Sequence, residues 1–322
     1  MPGTAALEVG ATSDRVGKWN LELRLVRAFD MDGGHPSTQG IDSSGETVEV
    51  PPYRHRVRLD LLRLELIARR RLGEDWTGWL RLPYDTKERA ASVEPDGDAT
   101  DEEREQMERD MQIHHPPGTL TGFGDASALA AHRAEGVFTD GDVLTTAVGT
   151  TLPLGRTEHN PFELGAEGEE HSHVQFGSGT FDPILEAYYV RPLADDLRVS
   201  AFATGRFPLY ENDREYFPPL QVSAGALVIW GMRERLALYL GLNAFRQQGA
   251  RWDGVLDPDS GVESLELLAG ASWKLGSSSH LTLGLVVPLD QRALVEAAER
   301  FERPIALTVG INGGIGSPSA GR

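Results

Sequence analysis

Nine histidines and no cysteine confine any metal held by this chain to imidazole and carboxylate ligands. His171 and His173 stand at i and i+2 in "EHSHVQ", with His159 upstream and Glu169 and Glu170 beside them. Two imidazoles and a carboxylate suit zinc. The spacing offers no convincing fourth ligand, and solvated loop histidines on an acidic chain are the plainer reading. His114 and His115 lie just before a strand. The same loop sets Ser172 and Ser178 near His171 and His173, the residue types of a nucleophilic Ser–His pair. The acidic run from Glu94 to Asp110 lacks the spacing of a calcium-binding loop such as the EF-hand. The sequence is therefore expected to hold no metal and no cofactor and to catalyse no reaction.

The elements that would position such residues are strands. In "RERLALYLGLNAF", leucines occupy 236, 238, 240 and 242, while Ala237, Tyr239, Gly241 and Asn243 take the other parity. A period of two is the mark of a strand with one apolar face. It recurs at Trp19 to Leu25, Trp76 to Tyr84, Leu144 to Leu154, Leu197 to Phe207, Leu220 to Trp230, Leu265 to Trp273, Leu281 to Val287 and Ile305 to Ile311. Residues 54–67 alternate with one slip, from odd apolar positions (Val57, Leu59, Leu61) to even ones (Leu62, Leu64, Leu66), which predicts a β-bulge. Two weaker strands near 123–134 and 181–191 bring the count to about twelve.

Connections alternate in length. "RRLGED", "AEGVFTDG", "RPLADD", "GMRER" and "LGSSS" are short; those near 30–52, 87–118, 157–177, 249–262 and 289–302 are long, and the one near 210–217 is the shortest of that set. Short turns on one rim and long loops on the other describe an up-and-down transmembrane barrel. Prolines 83, 153, 208 and 288 mark the loop-side ends of four strands, since proline lacks a ladder donor. Thr100 and Glu103 form a capping box at the head of "TDEEREQMERDMQ", with Met107 and Met111 on one side. "DQRALVEAAERFE" (290–302) predicts a second short helix. The expected organisation is one barrel domain over 1–322, with an N-terminal tail at 1–16 and these helices as surface lids.

The leucine face is expected to meet lipid. Trp19, Trp76, Trp230 and Trp273 fall at one level beside the short turns, as an interfacial aromatic belt requires. The opposite parity carries Glu22, Arg24, Arg56, Arg58, Asp60, Arg63, Glu65, Arg81, Asp85, Asp125, Asp182, Glu186, Arg198, Arg206, Glu266 and Lys274. Buried charges of this number need pairing or water, which predicts a narrow, charge-lined lumen. Arg24, Arg56, Arg58, Arg81, Asp85, Asp125, Asp182, Glu186, Arg198 and Arg206 are the expected solute path, with Arg198 in reach of Glu186. A soluble all-β binding protein would turn the same faces inside out, and a barrel closed by its own ion pairs would be a structural surface protein. The net charge of −18 argues against nucleic acid as a partner. The expected partners are a lipid bilayer and a small-molecule solute. No spanning helix is present, and no signal peptide is legible at the N-terminus.

"TGFGDASALAAH" (121–132), "GTTLPLGRT" (149–157) and "QFGSGTFDPILEAYY" (175–189) occur in that order. Together with "LRLPYD" they resemble the outer-membrane transporter family labelled MetA-pathway of phenol degradation, and its uncharacterised relatives. Gly122, Gly124 and Asp125 match the family's Gly-x-Gly-Asp strand start. Leu152, Pro153 and Gly155 match its Leu-Pro-Thr-Gly strand end, with Leu154 in place of Thr. Gly177, Ser178, Gly179 and Asp182 match the next strand start. The resemblance covers roughly residues 53–312 and implies an all-β outer-membrane barrel passing small hydrophobic or aromatic compounds. "INGGIGSPSAGR" departs from the aromatic-ended last strand of such barrels. Twelve strands also suit outer-membrane phospholipases, but the Asn-Gly context of their catalytic Ser and His is absent.

Overall fold

The computed structural model describes residues 19–172, 174–258, 260–276, 279–294 and 303–315. The strands are β1 (Trp19–Gly33), β2 (Pro36–Ile41), β3 (Thr47–Arg71), β4 (Trp76–Pro95), β5 (Gly118–Phe123), β6 (Ala126–Glu135), β7 (Val143–Leu152), β8 (Pro183–Pro192) and β9 (Leu197–Arg206). They continue with β10 (Tyr216–Phe217), β11 (Gln221–Arg233), β12 (Leu236–Gln247), β13 (Arg251–Trp252), β14 (Val255–Leu256), β15 (Val262–Lys274), β16 (Ser279–Ala293) and β17 (Ala306–Ile315). The helices are α1 (Asp101–His114) and α2 (Pro161–Ala166). The large antiparallel sheet closes through β1–β17, β1–β3 and β3–β4. Counting β5 and β6 as one interrupted stave, the described residues form a twelve-stranded barrel.

The leucine parity points outward. Leu23, Leu25, Leu64, Leu66, Leu80, Leu185, Leu240, Leu242, Leu283 and Leu307 are all exposed, with Leu240 at 57%. Trp19, Trp76, Trp230 and Trp273 are exposed at the short-turn rim, and the Trp230 indole donates to Asp196 at 3.0 Å. A second girdle lies toward the long loops, where Tyr84 meets Phe123 edge-on and the Tyr210 hydroxyl accepts from the Phe181 amide at 2.8 Å. Above it on the outer face come charges: Arg246 donates to Glu263 at 2.5 Å and Arg292 to the same carboxylate at 2.6 Å. An apolar band between two aromatic girdles, capped by charge, is the exterior of a membrane-spanning barrel.

Three sequence expectations are corrected here. The slip in residues 54–67 is not a bulge in β3, whose register with β4 is unbroken from Tyr53 to Arg71. The irregularity sits on β1, between Ala28 and Met31, where Asp30 has φ 51°. Odd residues of β3 face inward throughout: Tyr53, His55, Val57, Ile67 and Arg69 are all buried. What changes at Leu62 is the solvent outside. Ten residues, Leu62 to Arg71, match the ~9–11 that span a bilayer; the rest of β3 stands in water, with its charges outward and its apolar side chains inward. Second, two of the four prolines do not end their strands. Pro83 lies opposite the gap between β5 and β6, and Pro288 opposite the register shift at Leu265/Glu266, so the missing donor falls where the partner's ladder is interrupted. Third, Asp290–Ala293 extend β16 as strand rather than opening a helix; residues 295–302 lie outside the described residues.

The long hairpin β3–β4 projects beyond the membrane, and α1 packs on it. Thr100 and Glu103 cap α1 reciprocally. Met107 is fully buried against Val50 and Tyr53, so the helix is held on the outer-rim wall by its own apolar stripe.

Candidate functional site

The inward parity builds two kinds of surface. One is ionic. Arg24 donates to Glu22 at 2.8 Å and to Glu65 at 3.3 Å, and Arg69 donates to Glu22 at 3.0 Å. Arg63 holds Asp85 with two bonds of 2.7 and 2.8 Å. Arg81 crosses from β4 to Glu186 on β8 with bonds of 2.6 and 2.8 Å, and the Tyr188 hydroxyl donates to the same carboxylate at 2.9 Å. Two-pronged arginine–carboxylate pairs fix geometry as well as charge. On the far wall Arg303 reaches Glu266 at 2.6 Å, and Asn243 joins Glu266 to Ser223.

The other surface is apolar. Val26, Trp79, Leu129, Tyr188, Phe202, Leu227, Tyr239, Leu268 and Val286 form one buried cluster inside the barrel. The sequence reading missed this ring, because it took the non-leucine parity as wholly polar. A cavity of about 560 Å³ lies beside it, lined by the charged Arg63, Glu186 and Arg206 and the apolar Ala28, Leu268 and Ala306. Its size is that of a small-molecule site, apolar walls with a few convergent polar groups.

The residues of the expected solute path divide into three places. Arg24, Arg81, Asp85 and Glu186 lie in the lumen among the pairs above. Asp125, Asp182 and Arg206 meet at the loop-side rim, where Arg206 donates to Asp182 at 2.7 Å and to Asp125 at 3.3 Å. Arg56, Arg58 and Arg198 are outside the path. Arg56 and Arg58 occupy the outward parity of β3 above the membrane, more than half exposed, against Glu94 and Asp30. Arg198 is exposed at the short-turn end opposite Pro192 and Ile229; Glu186 is opposite Thr204 and is held by Arg81, so the expected Arg198–Glu186 pair does not form. Arg69 and Arg303 went unread in the sequence, the first hidden in the run "ARRRL" and the second beyond the last long loop.

The three glycine-rich segments converge at the rim. Asp125 accepts from the Gly155 amide at 3.1 Å and the Ser178 amide at 2.7 Å. A Cβ on Gly155 would stand 2.5 Å from Gly177 Cα, and one on Gly177 would stand 2.4 Å from the Asp125 carboxylate. Glycine is required there by close approach of backbones. Thr151 and Thr180 complete the knot with bonds of 2.7 and 2.8 Å around Asp182. The geometry is that of a clasp joining residues 153–156 and 175–182 at the loop-side rim, with Lys87 donating to the Gln175 carbonyl at 2.6 Å.

No family model matches the chain, and no curated protein matches it. Among solved structures it is similar to an outer membrane channel from Pseudomonas putida F1, with TM-score 0.58 and 15% identity over 95% of this chain and 98% of that one. The two chains share one barrel fold. More distant likenesses are a Pseudomonas aeruginosa FadL homologue, with TM-score 0.41 and 10% identity over 92% and 89% of the two chains, and the P. putida toluene transporter TodX, with TM-score 0.40 and 10% identity over 97% and 91%.

Above the mouth, histidines gather. His35 and His115 face each other at 2.8 Å through Nε2. His55 lies 4.5 Å from the His35 ring and 5.3 Å from that of His115, centroid to centroid. Asp110 of α1 stands 3.2 Å from His55 and 3.3 Å from His114, and accepts from the Tyr53 hydroxyl at 2.6 Å. Burial pushes the Asp110 carboxyl up, but hydrogen bonds from His114, His55 and Tyr53 outweigh it and hold it well below the usual carboxylate range. Burial, reinforced by His55, pushes His35 down to about 4. His171 sits 3.1 Å from His114, its other nitrogen against the Glu169 carbonyl, and burial lowers its pKa too. His159 is exposed, and His173 lies outside the described residues. Among the described residues the centre of the cluster is thus not His171 but His35, His55 and His115, brought together from β1–β2, β3 and the end of α1.

Proposed function

We propose that this protein is a bacterial outer-membrane channel for a small apolar or aromatic molecule, a single barrel domain whose lids and rim clasp restrict entry. The observation that carries the reading is the lumen cavity of about 560 Å³ between the apolar ring and the paired charges. The barrel fold and the lipid-facing band support it. TodX, a toluene transporter, shares the barrel only distantly, and the substrate class is argued from the cavity. Arg63, Arg81, Asp85, Glu186 and Arg206 would fix its polar wall. A solute would pass the apolar ring by displacing side chains that touch through dispersion contacts, which are individually weak. The ion pairs would exclude free ions because each is already compensated.

The same packing favours a second reading, a closed structural barrel, and one experiment separates them. Lipopolysaccharide-containing proteoliposomes should take up a radiolabelled monoaromatic compound faster than protein-free vesicles. Ala306→Trp, which fills the cavity, should remove the gain. Equal uptake with and without wild-type protein would leave the closed barrel.

A further inference from the structure

The histidine cluster stands apart from the lumen and is independent of the channel reading. One nitrogen from each of His35, His55 and His115 lies within 4.8 Å of the others. His55 is fully buried, and its Nδ1 has no hydrogen-bond partner among the described residues. Its Nε2 faces the Asp110 carboxylate and the Tyr53 hydroxyl, at 3.2 and 2.8 Å. A carboxylate only accepts, so Nε2 is the donor and Nδ1 is the nitrogen left to ligate. Nδ1 is therefore the His55 nitrogen available to a metal. A carboxylate behind a ligating imidazole is the usual outer shell of such sites, because it sets tautomer and ring orientation. The His35–His115 contact joins two nitrogens that can share only one proton between them.

We propose that His35, His55 and His115 bind a divalent transition-metal cation, zinc above all, which ties the lid helix to the barrel wall. Zinc–imidazole bonds of ~2.0–2.1 Å put tetrahedral ligand atoms roughly 3.3 Å apart. The cation would part His35 and His115 slightly and draw in His55. The three ligands come from the β1–β2 connection, β3 and the residue that caps α1. One ion would thus join the cap of α1 to two segments already bonded to each other, the His55 amide donating to the His35 carbonyl at 2.9 Å. The fourth position is left to water, and hard cations are disfavoured by an all-nitrogen set. Asp110 is a positioning residue in this site and does not touch the ion.

The test is calorimetric titration of the full-length protein, refolded in detergent, with Zn²⁺ and separately with Mg²⁺. One Zn²⁺ per chain should bind with sub-micromolar Kd, Mg²⁺ should not compete, and Co²⁺ should show the intense visible absorption of a tetrahedral site. His35→Gln, at the least buried ligand, and His115→Ala should each abolish that absorption. Asp110→Asn should weaken Zn²⁺ about 10–100-fold, and His159→Ala should change nothing. Heat-modifiable gel mobility checks that each variant folds. Wild-type affinity weaker than micromolar, or an unchanged Co²⁺ spectrum in folded His35→Gln, would overturn the site.

Discussion

Arg81 and Arg56 each hold a glutamate at 2.6 Å, and there the likeness ends. Arg81–Glu186 spans the lumen, its side chains 18% and 5% exposed; Arg56–Glu94 lies on the projecting hairpin, 60% and 57% exposed. The contrast follows from one strand passing through two solvents. Below Leu62, β3 turns leucines to lipid and charges inward to partners. Above it, the same inward parity carries Tyr53, His55 and Val57, and the charges turn out to water. A barrel in a membrane is an inverted protein, and β3 reverts to the ordinary arrangement where the hydrocarbon ends. The two arginines therefore differ in what their removal leaves behind: a buried, uncompensated carboxylate in one case and a hydrated one in the other.

The largest expected effect is on the inner pair. Arg81→Met should cost ~3–5 kcal/mol, the usual result of stranding one partner of a buried ion pair. Arg81→Met with Glu186→Met should recover most of that loss. Urea unfolding in lipid vesicles, followed by tryptophan fluorescence, measures both. If the single variant cost no more than an exposed arginine does, the lumen would be as wet as the surface and the comparison would collapse.

Next comes the outer face of the membrane zone. Leu240→Arg places a guanidinium near mid-bilayer, on the exposed parity of β12 between Val228 and Ala269. It should cost ~2–4 kcal/mol. The same unfolding assay in detergent micelles and in bilayers sharpens the point, since micelles deform around the charge more easily. A cost below that of surface substitutions in both media would mean that this face does not meet hydrocarbon.

The belt was legible because period two and interfacial tryptophan are local signals: 236–242 and Trp19, Trp76, Trp230 and Trp273 need no knowledge of neighbours. Which solvent bathes each level was not. The slip at Leu61–Leu62 looked like a bulge because a parity change and a solvent change print the same pattern. Lumen pairing was half legible. Arg206 with Asp182 follows from adjacent strand ends, but Arg206–Asp125 and Arg81–Glu186 depend on side chains reaching between strands that are not neighbours. The apolar ring escaped because its members, such as Phe202, Leu227 and Tyr239, come one or two per strand and meet only on closure. The histidine cluster escaped for the same reason at longer range: positions 35, 55 and 115 share no motif, whereas 171 and 173 do.

The smallest expected effect lies one residue from that cluster. Arg56→Gln removes an ion pair that is mostly solvated, so its attraction to Glu94 is opposed by side-chain entropy and screened by salt, with a Debye length of ~8 Å at physiological ionic strength. Such pairs contribute ~0–1 kcal/mol. The unfolding free energy of Arg56→Gln should fall within that range of wild type, and the difference should vanish in high salt. Zn²⁺ binding should also be unchanged, because Arg56 and His55 point to opposite faces of β3 despite being consecutive. A loss of several kcal/mol would place Arg56 in the same buried class as Arg81. A weakened zinc site would show instead that the two faces of the projecting hairpin are coupled, and the reversal of parity at Leu62 would no longer separate a wet outside from a packed inside.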